Sequence, residues 1–159
     1  MSKLKGVLLG GAVAFFMSAT LVSGAIARAA ASCPAIEIAR VVQPGTIGSR
    51  TFSGPRNETV TVEKASLATV RDVTKSNISF AEGVWGLGLH LSSAAAERMR
   101  SYTTAHVGDQ LAFIVQDRAK MVVKILDPIM GDEAWISPFD KQEAEALAAN
   151  INACAAPKR

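Results

Sequence analysis

No GxSxG elbow, HExxH pair, Walker loop or CxxC pair occurs in the 159 residues. That removes the usual local signatures of a serine hydrolase, a zinc protease, a nucleotide-binding P-loop and a zinc ribbon. Histidine is scarce, with only His90 and His106, and neither has a partner at ligand or dyad spacing. The closest acids, Asp132–Glu133 and Asp140–Glu143, suit a turn and a helix cap better than a paired-carboxylate site. Catalytic residues, metal ligands and cofactor contacts are therefore all expected to be none, and the chain is read as a non-enzyme.

Charge is also missing from one long stretch. Lys3 and Lys5 precede an uncharged run from Val7 to Ala27, followed by "AIARAAAS" with small residues at Ala29 and Ala31. This order marks residues 1–31 as a secretory signal peptide and implies a periplasmic location. If the segment stays uncleaved it becomes a membrane anchor, since about 20 apolar residues span a bilayer. Cleavage removes Lys3, Lys5 and Arg28 and leaves 14 basic against 14 acidic residues. The basic pI of 9.1 thus belongs mostly to the targeting segment. A charge-balanced remainder has no electrostatic footprint for nucleic acid or an anionic membrane, so no nucleic-acid partner is expected. No integral span is expected after cleavage.

Only two cysteines occur, Cys33 and Cys154, near the two ends of the remaining chain. In an oxidising compartment the pair favours a disulfide. Lipid attachment at Cys33, two free buried thiols, or a metal pair are the other readings, each with less in its favour.

What is present reads as an α+β domain: an antiparallel sheet with about three helices packed on it. Residues 32–57 form an N-terminal strand, "IEIARVV", and a loop rich in Gly, Ser and Pro. "ETVTVEK" alternates as a half-buried strand. "SLATVRDVTKS", with Ser66 as cap and Leu67, Val70 and Val73 one helical turn apart, predicts a short helix. In "VWGLGLHL", Trp85, Leu87, Leu89 and Leu91 share one strand face, while Gly86, Gly88 and His90 share the other. The glycines lie within a strand pattern, so they suit a close approach by another element better than a dinucleotide turn. "SSAAAERMRSYTT" is a helix with Ala95, Met99 and Tyr102 inward. "LAFIV" is apolar throughout, as in a strand covered on both faces, and pairs with "MVVKIL" in a hairpin. "EAWIS" adds a strand. A final helix opens on the capping-box pair Asp140 and Glu143 and turns Ala144, Leu147, Ala148 and Ile151 inward.

The ordered set Thr103, Gly108, Leu111, Ala112, Pro128, Ile129, Gly131, Ile136, Ser137, Glu143, Ala144, Leu147 and Ala148 resembles the head subdomain of the first periplasmic domain of SecD, the protein-export membrane protein. Asp117–Arg118 stands where that pattern has Asp–Gly, and Met130 stands where it has the first of two glycines. The resemblance implies residues 58–153 as a SecD-head-like domain, with 154–159 a tail. It implies a surface that contacts polypeptide or an envelope protein partner and a link to protein export, while the proton-driven membrane part does not carry over. Trp85, Phe52 in the Gly-rich loop and Arg118 at the hairpin tip are the candidate surface residues. The alternative is a small-molecule or lipid module, its pocket floored by the glycine face of residues 84–91 with Trp85 at the rim.

Overall fold

A computed structural model describes residues 33–155; the expected signal peptide lies outside them. The order is β1 (Ile36–Val41), β2 (Ser49–Ser53), β3 (Thr59–Thr69), a 3-10 turn (Val70–Asp72), β4 (Val73–Ala81), β5 (Val84–Leu91), α1 (Ser93–Ala105), β6 (Gln110–Val115), β7 (Arg118–Lys124), β8 (Glu133–Phe139) and α2 (Lys141–Ala155). The strands form two sheets: a closed five-stranded barrel, β1-β3-β2-β7-β6, and a three-stranded sheet, β4-β5-β8. All pairs are antiparallel except β2–β7, a single parallel bridge between Ser53 and Arg118 that shuts the barrel.

The apolar run of β6 shows why two cores form. Leu111, Phe113 and Val115 point out of the barrel into the main core, whereas Ala112 and Ile114 point into it, as the period of two requires. All five are buried. The barrel interior is completed by Ala39, Val60, Val62 and Ala119. The main core joins the outer wall of the barrel to Leu87, Leu89 and Ile136 of the second sheet and to both helices.

Among the described residues two α-helices form, not three. The segment expected to be a helix from Ser66 is instead the end of β3, one 3-10 turn and the start of β4. Ala68 pairs with Ile38 of β1, and the Asp72 carboxylate accepts the Thr69 N–H at 2.9 Å, closing the chain after a single turn. A spacing of three between Leu67, Val70 and Val73 fits strand, tight turn and strand as well as helix, and tertiary pairing decided between them. Part of the segment read as a loop over 43–57 is likewise a strand: β2 pairs in register with β3 from Ser49–Glu63 to Ser53–Thr59.

The two helices do follow the sequence. Ser92 accepts the Ala95 N–H at the start of α1. Asp140 accepts the Glu143 N–H at 2.7 Å at the start of α2, and Ala144, Leu147, Ala148 and Ile151 are its buried residues. The Glu143 side chain does not close a reciprocal capping box; it pairs with Lys120 of β7 at 2.6 Å. The β6–β7 turn is Gln116–Asp117, both at positive φ (49° and 63°), so Arg118 is the first residue of β7 and lies opposite Val115. A disulfide joins Cys33 to Cys154 across 121 residues, tying the entry to β1 to the end of α2.

Candidate functional site

A cavity of about 300 Å³ opens between the barrel and the second sheet, and its lining is almost wholly apolar. Phe113 of β6 and Met121 and Val123 of β7 form one wall, because alternation turns them out of the barrel. Met99 of α1, Leu91, Ile129, Gly131 and the β8 residues Ala134 and Trp135 form the remainder, with Glu133 as the one charged residue. The loop between β7 and β8 is held over this cavity by Thr103. Its buried hydroxyl donates to the Met99 carbonyl at 2.8 Å and accepts the Ile129 N–H at 2.9 Å. On either side of Ile129 the same loop leaves Leu126 and Met130 exposed (73% and 68%). Two methionines and two aromatics make an adaptable apolar lining.

A second depression, polar and open, lies over the end of the barrel and is lined by Arg40, Glu63, Asp109, Gln110 and Lys124. Arg40 bridges Glu63 at 3.3 Å and Asp109 at 3.5 Å. Tyr102 donates to Asp109 at 3.4 Å, and burial, with Asp109 and Glu63 nearby, pushes the phenol up to about 12. It stays protonated at neutral pH and offers no base. His106 stacks on Tyr102 with centroids 4.1 Å apart. Among the described residues no group of three His, Cys, Asp or Glu could hold a metal ion.

The three candidate surface residues fall in two places. Phe52 is half-buried against the barrel interior under the Arg50 guanidinium, 5.4 Å from the ring centroid. Arg118 is exposed beside it, on the bridge to Ser53. Trp85 lies in the other sheet, 5.1 Å from Phe80 and beneath Lys141 at 5.5 Å. The glycine face of β5 is covered by side chains of its neighbours. A Cβ on Gly86 would run into the Trp135 ring, and one on Gly88 would sit 2.7 Å from the Asn77 side chain. Trp135, Met121 and Phe113 were not singled out from the sequence as site residues. The signal available was the continuous apolar run of β6, which announced a wall needing cover on its outer side.

These features define an α+β domain of a barrel and a small sheet around an apolar cavity. The family model for the SecDF P1 head subdomain matches residues 48–157, and the chain belongs to that family. Two solved structures share the fold at 18% identity over 77% of this chain. One is SecDF, a membrane component that enhances protein export, with a TM-score of 0.60; the other is SecDF in a super-membrane-facing form, with a TM-score of 0.61. This chain spans 64% of the first and 19% of the second. No curated protein matches. Among the described residues no helix is long and apolar enough to cross a membrane.

Proposed function

We propose that this chain is a non-catalytic cell-envelope domain that contacts polypeptide during protein export, using the apolar cavity between barrel and sheet. The observation that carries the reading is the conjunction of membership in the SecDF P1 head family with an apolar cavity whose covering loop also exposes Leu126 and Met130. A chain in transit exposes the apolar side chains that a folded protein hides, and an adaptable Met-rich lining accepts them without demanding one sequence. A periplasmic location, after removal of residues 1–31 or with them as anchor, is supported by the Cys33–Cys154 disulfide, which persists in an oxidising compartment.

The test places a photo-crosslinking residue at Val123 in the full chain and irradiates cells with radiolabelled exported proteins in transit. Cross-links to those proteins that vanish when export is blocked support the reading. No signal above the same residue at exposed Lys64 overturns it. The alternative, a small apolar molecule or lipid, is favoured by the cavity's size, at the low end for ligand sites. A thermal-shift panel of fatty acids separates the two, because ligand stabilisation follows mass action.

A further inference from the structure

β4 is the outer strand of the sheet β4-β5-β8, and the hairpin tells which of its peptide groups face outward. Ala81 pairs with Val84 across Glu82–Gly83, whose φ values of 52° and 83° suit a two-residue hairpin turn. The flanking pair of such a turn exchanges both hydrogen bonds, and the exchange alternates along the ladder. Ser79 and Asn77 therefore bond β5, while Phe80, Ile78 and Ser76 turn their N–H and C=O away from it. Asn152 of α2 gives the same phase independently. Its Oδ1 accepts the Ser76 N–H at 2.7 Å, and its Nδ2 donates to the Ser76 carbonyl at 3.0 Å. A carboxamide has the donor and acceptor of a peptide group, so the fold itself fills one position of a missing strand. Ile78 and Phe80 repeat that pattern with no partner among the described residues. Phe80 is 58% exposed and, with Trp85 beside it, offers an apolar shelf at the same edge.

We infer that the outer edge of β4 at Ile78–Phe80 takes an extended segment of the transiting polypeptide as a fourth strand, held by main-chain hydrogen bonds. This rests on the polypeptide reading above and names its mode of contact. Strand addition draws its affinity from the backbone, which every client shares, and so suits a partner of no fixed sequence.

The experiment uses the full chain and a reduced, carboxymethylated polypeptide as probe. Site-resolved hydrogen exchange should show the amides of Ile78 and Phe80 slowed about tenfold or more by saturating probe, with Ser79, already bonded to β5, unchanged. Ile78→Pro removes an outward N–H and sets a ring against the incoming strand, so binding should weaken about tenfold or more. Phe80→Ala keeps the amide and removes only the apolar shelf, so it should weaken binding less than Ile78→Pro does. If Ile78→Pro does not fold, exchange in the unsubstituted chain decides alone. Probe binding with unchanged exchange at both amides overturns the inference and leaves the polypeptide reading standing. No probe binding at all overturns that reading too. Protection of these amides in a dimer without probe would assign the edge to a second copy and overturn the inference.

Discussion

The Asn152 carboxamide stands against Ser76 as a neighbouring strand would, accepting its N–H at 2.7 Å and donating to its carbonyl at 3.0 Å. The Ser76 hydroxyl adds a bond to the Ala148 carbonyl at 3.0 Å. Serine at this strand position is thus tied to α2 by both backbone and side chain. An outer strand that would otherwise present a longer row of unpaired groups is shortened by a helix residue, one way folded proteins limit edge-to-edge association.

Asn152→Ala leaves the Ser76 N–H and carbonyl without partners. The expected loss is about 1–3 kcal/mol, the cost of unpaired buried polar groups, read as a lower midpoint in urea with unchanged slope. A shift below about 0.3 kcal/mol would show that water replaces the carboxamide freely.

The disulfide closes a loop of 121 residues in sequence. Alkylation under denaturing conditions without reductant should add no mass, and two added groups would show free thiols. Replacing both cysteines by serine should cost about 2–4 kcal/mol by freeing the unfolded chain.

Gly86 has no room for a methyl group while Trp135 stays in place. Gly86→Ala should cost about 1–3 kcal/mol through overpacking, and tryptophan emission should shift to the red as the ring moves into water. In a Trp135→Ala background the same change should cost far less, since the two sites are in contact.

Acid stability should follow Glu37 and Asp72. The Arg50 guanidinium, bonded at 2.6 Å, holds the Glu37 carboxyl below its ordinary value against burial, with help from Ser66. At Asp72 burial works upward, but the Arg98 bond and the Thr69 N–H outweigh it and the net shift is down. Groups with depressed folded values contribute stability that is complete above the unfolded value and lost as pH falls through the folded one. Thermal midpoints should therefore hold from neutrality to about pH 5 and drop below it, with Glu37→Gln and Asp72→Asn each flattening the drop.

The Gln116–Asp117 turn asks two non-glycine residues for positive φ. Gln116→Asn with Asp117→Gly supplies the residues that such turns favour and should raise stability by about 0.5–1 kcal/mol, measured by urea unfolding. An unchanged midpoint would mean that the strands alone set the hairpin.

Much of the fold is written locally. The caps at Ser92 and Asp140, the inward stripe of α2 and the doubly buried β6 each depend on neighbours a few residues away, and all can be read from spacing. The end of β3 is different, because Leu67 to Val73 satisfies two periods. Its fate rests on Ala68 meeting Ile38, a contact that local sequence does not announce. Barrel closure at Ser53–Arg118, the filling of the Gly86 face by Trp135, the cavity and the Asn152–Ser76 pairing belong to the same class. Short-range side-chain chemistry was enough to place the buried stripes of β6 and α2 and the starts of the two α-helices at Ser92 and Asp140, though not to tell strand from helix at Leu67–Val73. Only the tertiary structure decided which buried surfaces face one another and which edge stays open, because those depend on groups separated by tens of residues and brought together by packing.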